Sequence, residues 1–150
     1  MKMIFIILFF IVFVILAIFI YYRYYFRYML FKDMVYFTKN LKNNISFNKN
    51  NISDIIRVAE NNFSNFTRYI INSKKENKFL WLKSQDINLV NEFLVSVGKG
   101  DVSFEVNNIN YYESIFEENR NYSKDLLEKE GKLYLKLIIG IGLAVCIILI

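Results

Sequence analysis

Three carboxylates lie at helical spacing in the C-terminal half of the sequence: Glu113, Glu117 and Glu118. Carboxylates on a helix could ligate a divalent cation or act as general acid and base. Either use needs further donors, and the 150-residue sequence has no histidine and a single cysteine, Cys146. Because no other predicted helix carries a matching carboxylate pair, the pattern favours a solvated helix face. We therefore expect no catalytic residue, no metal site and no cofactor, and we expect that the protein is not an enzyme.

The sequence GKGD at residues 98–101 has the glycines and the lysine of a phosphate-binding loop. A P-loop requires GxxxxGK[ST] after a strand, and the sequence has neither feature at this point. A helical pattern that Ser84 is expected to cap ends just before Gly98, which has the residue type of a helix C′ position. We therefore interpret Gly98, Gly100 and Asp101 as an interhelix turn and expect no small-molecule substrate.

Tyrosine and arginine are concentrated between residues 21 and 28, a composition that RNA-binding surfaces share. The cluster follows residues 3–20, an uncharged apolar run that would form a helix about 27 Å long, close to the hydrocarbon thickness of a membrane. No A-x-A-like cleavage site follows, so we interpret residues 1–22 as an uncleaved anchor. The cluster then marks a membrane interface, and we expect lipid and no nucleic acid as a partner. The expected interfacial anchors are Tyr21, Tyr22, Arg23, Arg27, Lys132 and Lys136.

A second apolar run occupies residues 132–150. Residues 137–150 alone would span about 21 Å, but residues 133–150 reach about 27 Å if Lys136 extends its ammonium to the headgroups. We interpret the run as a C-terminal transmembrane helix, with a buried hydrophobic helix as the alternative. Small residues four positions apart predict two surfaces for membrane helix packing. These pairs are Gly140 with Ala144, and Gly142 with Cys146.

Lysine and arginine flank the inner ends of both apolar runs, whereas only Lys2 lies outside them. The positive-inside rule therefore places the middle of the chain in the cytoplasm and both termini on the opposite face of the membrane. We expect an N-terminal anchor at 1–22, a cytoplasmic helical domain at 23–131 and a C-terminal transmembrane helix at 132–150. The net charge of +5 is mild, and no basic block resembles a nucleic-acid-binding arm.

Apolar residues between the two runs recur at steps of three and four, which is the period of amphipathic helices. The segments with this period are 26–41, 52–59, 63–70, 87–97 and 102–116. The first of them continues the N-terminal helix up to a polar break at residues 43–51, and the last is expected to run through Gly131 into the second apolar run. Strand-type alternation is not sustained anywhere. We therefore predict an all-α fold, an antiparallel helical bundle between the two transmembrane helices.

The C-terminal third of the sequence resembles a known family. Residues 96–150, SVGKGDVSFEVNNINYYESIFEENRNYSKDLLEKEGKLYLKLIIGIGLAVCIILI, are similar to stage III sporulation protein AB of endospore-forming bacteria. In that family a glycine-containing turn ending in aspartate opens a long charged helix, and a Lys–x–x–Lys-like segment leads into a glycine-containing terminal span. The matching residues are Gly98, Gly100, Asp101, Lys129, Lys132 and Gly142. Glu105 stands where the family often has glutamine.

The resemblance implies a fold, a location and partners. The middle region would be similar to the cytoplasmic helical domain of type II secretion F-type platform proteins. The protein would be a non-enzymatic platform in the complex that links mother cell and forespore, located in the mother-cell membrane around the forespore. Its partners would be a cytosolic secretion-type ATPase and other membrane subunits of the complex. Two other classes stay open: a membrane-bound enzyme that uses Glu113 or Glu117, and a small membrane-active protein such as a holin.

The distribution of basic residues gives a testable topology. A cysteine introduced by Lys75→Cys should resist a membrane-impermeant thiol reagent in intact cells, because the positive-inside rule places residue 75 in the cytoplasm. The same cysteine should react after the cells are lysed. Ready labelling in intact cells would reverse the orientation and would remove access to a cytosolic partner.

Overall fold

The computed structural model describes residues 2–47, 63–72 and 82–149. Within these ranges the regular structure is helical and no strand occurs, which confirms the predicted all-α fold. In chain order the elements are α1 (Lys2–Phe47), α2 (Asn65–Asn72), α3 (Ser84–Ser96), α4 (Val102–Leu126), a π-helical turn (Leu127–Gly131) and α5 (Lys132–Leu149).

Helix α1 is a single helix of 46 residues, about 69 Å long at the usual rise per residue. The sequence explains its continuity, because the first glycine is Gly98 and proline is absent. Its second half is amphipathic and buries Leu30, Met34 and Leu41, which confirms that the N-terminal helix continues past the apolar run. The helix extends to Phe47, so the expected break at residues 43–51 does not begin at 43. The predicted helix at 52–59 lies outside the described residues.

Helices α4 and α5 form a second long rod that runs antiparallel to α1. Residues Val102–Leu149 are helical throughout, and the π-helical turn at Leu127–Gly131 joins the two halves. The antiparallel order follows from contacts along the rod: Lys39 of α1 pairs with Glu117 of α4, whereas Ile6 of α1 contacts Cys146 of α5. The predicted run through Gly131 is confirmed, but the π-helical turn within it was not predicted.

A hydrophobic core formed by described residues joins α1 to the shorter helices. Its centre is Phe93 of α3, whose ring centroid lies 5.9 Å from that of Phe37, 5.4 Å from that of Phe116 and 5.1 Å from that of Tyr112. Most of these rings meet edge to face, the arrangement that aromatic quadrupoles favour. Truncating a buried phenylalanine of this kind costs about 3–5 kcal/mol, so Phe93 holds α3 against both long rods.

Polar contacts from α1 fix where the short helix α2 begins. The Oδ2 atom of Asp33 accepts hydrogen bonds from the backbone N–H of Ser64 at 3.0 Å, from its hydroxyl at 2.6 Å and from the hydroxyl of Thr67 at 2.6 Å. The Ser64 hydroxyl in turn accepts a bond from the Thr67 N–H, as an N-cap residue does. Helix α2 therefore starts immediately after Ser64, beside α1. Of the predicted apolar stripe, Phe63 and Ile70 are buried.

An ion pair joins α1, α3 and α4 at the end of the core nearest the apolar runs. The Arg27 guanidinium donates from Nε to Asp86 Oδ2 at 2.8 Å and from Nη2 to Asp86 Oδ1 at 3.0 Å. It also donates from Nη2 to the Asn119 side-chain oxygen at 3.3 Å. The side chains of Arg27 and Asp86 are only 13% and 6% exposed, so this pair is part of the domain interior.

The turn between α3 and α4 is held by the chain's own carboxylates. Gly98 has a φ of 87°, a conformation that favours glycine, and it follows the C-cap residue Val97. Asp101 is the N-cap of α4. The pKa of Asp101 is lowered mainly because its carboxylate accepts a hydrogen bond from the Phe104 N–H, and to a smaller extent because it accepts one from the Ser103 hydroxyl. The expected cap at Ser84 is wrong: α3 begins at Ser84, and Lys83 holds the N-cap position without a side-chain cap.

A buried glutamate completes this turn. Oε1 of Glu105 accepts the backbone N–H groups of Gly98, Lys99 and Gly100 at 3.0, 2.8 and 2.9 Å. These are the N–H groups that a phosphate-binding loop would direct at its ligand, and here a carboxylate of the same chain occupies them. The geometry therefore favours the interhelix turn over a phosphate loop. Glutamine presents the same kind of acceptor oxygen, which explains how it could serve at this position.

The Glu105 contacts generate a stability prediction. Glu105→Ala should lower the free energy of unfolding by about 2–3 kcal/mol, because three backbone N–H groups lose their acceptor. Glu105→Gln should retain most of the stability, since its amide oxygen can accept the same bonds without the charge. Thermal unfolding of the full chain in detergent, followed by circular dichroism, measures both. Equal loss in the two variants would contradict the proposed role of the acceptor oxygen.

Candidate functional site

Two of the three carboxylates with helical spacing, Glu113 and Glu117, connect α1 to α4. Glu117 accepts a bond from the Lys39 ammonium at 2.7 Å, and Glu113 lies 3.6 Å from the Lys42 ammonium. The bond from Lys39 lowers the pKa of Glu117, so this contact stabilises the fold at neutral pH and is lost as the pH falls through the lowered pKa. Glu118 is exposed. Among the described residues, no group of three or more metal-ligating side chains is present.

The two apolar runs pack against each other. A Cβ atom added to Gly142 of α5 would lie 2.9 Å from Cβ and 3.1 Å from Cγ of Phe13 in α1, so only glycine allows this approach. One turn further along α5, the Cys146 thiol lies 3.8 Å from the Ile6 carbonyl oxygen. Gly142 and Cys146 therefore form the face of α5 that meets α1. In lipid such close contact is a main source of attraction between helices.

The other predicted pair of small residues points away from α1. Gly140 and Ala144 are exposed, and a Cβ atom added to Gly140 would meet nothing within 4 Å. Packing of a helix from another chain on Gly140 and Ala144 stays a prediction. From the sequence, the Gly140–Ala144 pair and the Gly142–Cys146 pair could not be told apart, because their spacing is the same. Only the position of α1 distinguishes them.

The apolar runs are exposed along most of their length. Two helices, Met3–Ile45 and Val102–Leu149, are long and apolar enough to cross a membrane, and only 6% and 11% of their most apolar windows are buried. A buried hydrophobic helix, the alternative for residues 132–150, would instead be covered on most sides. Most outward side chains of the two apolar runs are apolar, which suits a lipid environment.

Most of the expected interfacial anchors lie at the surface near the ends of the apolar runs. Tyr22, Arg23, Lys132 and Lys136 are exposed, and Tyr21 is half-buried. Arg27 is placed differently, since its guanidinium turns into the domain and binds Asp86. The sequence did not identify Asp86, because an acid in the first turn of a helix is ordinary and nothing in its spacing relates it to Arg27.

The π-helical turn lies where α1 crosses from its apolar half to its polar half. Tyr24 donates a hydrogen bond to Glu130 at 3.0 Å and stacks on Tyr134 with ring centroids 6.4 Å apart. A Cβ atom added to Gly131 would lie 3.4 Å from Tyr24 Cβ and 3.3 Å from Leu127 Cδ1. Because Gly131 has no side chain, the π-helical turn can approach α1 closely. The glycine was the one feature of the sequence that could have indicated this close approach.

An apolar surface lies at the opposite end of the helical domain. Three side chains beside the α3–α4 turn are more than half exposed: Val95 at 63%, Val102 at 62% and Phe104 at 55%. We call these three residues the tip surface. Tyr111 follows Phe104 by seven residues, which places it on the same side of α4, and it too is exposed.

These features define a class of protein: an all-α membrane-associated chain in which two membrane-length helices pack antiparallel and carry a helical domain. A family model described as stage III sporulation protein AB matches residues 2–150. The chain therefore belongs to the stage III sporulation protein AB family and is a sporulation protein. Searches of curated proteins and of solved structures found no match.

The close approach at Gly142 gives a matched pair of variants. Gly142→Ala should destabilise the full chain by about 1–3 kcal/mol, because the new methyl group would overlap Phe13 near its backbone. Gly140→Ala adds the same methyl group in open space and should leave the stability unchanged or raise it by up to about 1 kcal/mol through helix propensity. Thermal unfolding in detergent measures both. Equal behaviour of the two variants would contradict the assigned α1–α5 face.

Proposed function

We propose that this chain is a non-enzymatic membrane platform in the sporulation complex that links mother cell and forespore. The observation that carries the proposal is the continuity of the helices: α1 and the α4–α5 rod each pass from a membrane-length apolar run into the domain core without a break. A domain built on such helices cannot swing freely on a linker. Its position is therefore set relative to the membrane, as the role of a platform requires.

The dimensions of α1 support a docking role. From Ile20, where the apolar run ends, to Phe47 the helix rises about 40 Å at the usual rise per residue. The tip surface, at the start of the antiparallel α4, is near this far end. A partner in the cytosol would therefore reach the tip surface without approaching the lipid headgroups. We propose that a cytosolic secretion-type ATPase binds there.

The polar and apolar parts of the tip suit a protein partner. The tip surface exposes apolar area at Val95, Val102 and Phe104. Contiguous exposed apolar area of this kind is typical of a site that a partner protein covers. Exposed aromatic residues such as Phe104 are common anchors of protein interfaces. The proposal assigns the tip to the ATPase, and the lipid-facing sides of α1 and α5, including Gly140 and Ala144, to other membrane subunits.

The proposed location is the mother-cell membrane around the forespore, with the helical domain in the cytoplasm. Because α1 and α5 are antiparallel, their outer ends lie on the same side of the membrane, and the basic residues that flank the domain favour the cytoplasm for the other side. The enzyme alternative has less support, because Glu113 and Glu117 contact lysines of α1.

Partner capture from sporulating cells tests the docking role. The double variant Val95→Ser with Phe104→Ser should lose the cytosolic partner, because the exposed apolar contact area is removed, while the core residues are untouched. Tyr36→Ala, which removes a large exposed side chain from α1, serves as the control and should retain the partner. Co-purification of the ATPase is the readout, with membrane fraction and sporulation efficiency scored beside it.

A second double variant separates the tip from the membrane helices. Gly140→Leu with Ala144→Leu adds bulk on the outward face of α5, so membrane subunits should be lost while the ATPase is retained. If the tip variant keeps the ATPase and sporulates normally, docking at the tip is wrong. If the α5 variant keeps every membrane subunit, Gly140 and Ala144 face only lipid.

A further inference from the structure

A cavity of about 300 Å³ lies between α1, α4 and the start of α3, beside the π-helical turn. Its polar lining includes Arg23, Arg27, Lys83, Tyr122, Ser123 and Glu130. We propose that this cavity, called the interface pocket below, binds the phosphate group of an anionic ligand. The volume is at the lower end of the range for small-molecule sites and is adequate for a phosphate group with its ester substituents.

Two residues that line the interface pocket each carry a buried donor without a partner among the described residues. Nη1 of Arg27 makes no hydrogen bond there, although Nε and Nη2 of the same guanidinium bind Asp86 and Asn119. The hydroxyl of Ser123, whose residue is 1% exposed, also makes none. Buried polar groups are nearly always hydrogen-bonded, so two such donors on residues that line one cavity indicate a ligand that accepts hydrogen bonds.

The geometry of Ser123 differs from that of two other helical serines, Ser96 and Ser114. The hydroxyls of Ser96 and Ser114 donate to carbonyl oxygens of their own helices, Phe93 at 2.7 Å and Tyr111 at 2.7 Å. Such bonds within the helix are the usual way to satisfy a helical serine. Ser123 lines the cavity, and its buried hydroxyl makes no such bond among the described residues.

The charge of the interface pocket matches a phosphodiester. Its three cations, Arg23, Arg27 and Lys83, face two carboxylates, Glu130 in the lining and the Asp86 that Arg27 binds. One positive charge therefore remains, and a phosphodiester carries one negative charge at neutral pH. Neither Arg23 nor Lys83 forms an ion pair with any residue in the described ranges, which leaves both cations available to an anion.

The position of the pocket favours a lipid headgroup as the source of the phosphate. Arg23 and Arg27 lie about 4.5 and 10.5 Å beyond Ile20 along α1 at the usual rise per residue. Headgroup layers extend about 5–8 Å from the edge of the hydrocarbon core. On the proposed membrane placement, the Arg23 side of the pocket therefore lies at the level of the lipid phosphates, and the Arg27 side lies just beyond them. A soluble phosphate compound has the same chemistry, and the experiment separates the two sources.

The test uses the full chain purified in an uncharged detergent and native mass spectrometry with added phosphatidylglycerol. The wild-type chain should retain one phosphatidylglycerol, and diacylglycerol, which lacks the phosphate, should not be retained. Arg23→Gln with Lys83→Gln should weaken the affinity by about tenfold through lost charge. Ser123→Ala should weaken it by about threefold or more, while leaving the fold intact because the hydroxyl has no partner within the described chain.

The matched control is Lys132→Gln with Lys136→Gln, which removes two exposed cations near the same membrane level but outside the pocket lining. This variant should bind phosphatidylglycerol as the wild-type chain does. Unchanged affinity in both pocket variants, an equal loss in the control, or equal retention of diacylglycerol would overturn the proposal. Circular dichroism of each variant shows that a loss of binding is not a loss of fold.

A competition arm identifies the source of the phosphate. If millimolar inorganic phosphate does not displace phosphatidylglycerol, the site takes a lipid headgroup; if it displaces the lipid fully, the same site takes a soluble phosphate compound. Both results support a phosphate site. The inference is independent of the docking role, because the pocket variants leave the tip surface unchanged and should still capture the ATPase.

Discussion

The arrangement of the domain depends on the burial of one charge, the guanidinium of Arg27. A charge that is 13% exposed needs compensation, and Asp86 supplies it with two bonds in the parallel geometry that suits arginine. Removing the carboxylate would leave a buried cation, a change that typically costs about 3–5 kcal/mol. Helix α3 carries Asp86. If α3 shifted along α1 and α4, the Arg27 guanidinium would lose its carboxylate partner or become exposed to solvent. The Phe93 core and the cavity beside Arg27 both depend on that fixed position.

The second constraint is the length of the unbroken helices. Helix α1 has no glycine or proline and is regular throughout. The change in helix geometry that lets the two rods pack along their length therefore lies in the α4–α5 rod, at the π-helical turn Leu127–Gly131. A π-helical turn widens the helix locally and changes which side chains face a partner. Gly131 meets Tyr24 there, and beyond it Gly142 meets Phe13. The π-helical turn thus connects a polar helix pair, held by lysine–glutamate contacts, to an apolar pair held by close packing.

Sequence periodicity predicted what is local in this structure, and tertiary contacts determined the rest. The spacing of Leu30, Met34 and Leu41 was enough to extend α1 beyond its apolar run, and Gly98 was enough to place the end of α3. The Arg27–Asp86 pair joins residues 59 positions apart, and no local pattern encodes such a pairing. The Glu105 contacts were missed because a glutamate in the first turn of a helix has many ordinary roles. The choice between the Gly140 and Gly142 faces likewise needed the position of α1.

The contact between Ile6 and Cys146 has a consequence for the order of biosynthesis. The two residues are 140 positions apart, so at about 5–20 residues per second the ribosome needs about 7–30 s between them. Throughout that interval the face of α1 that will meet Gly142 has no partner from its own chain. Local helix formation takes about a microsecond, so α1 is complete long before its partner exists. The two rods therefore cannot pair before translation reaches α5. Until then α1 exists as a single helix without its partner helix.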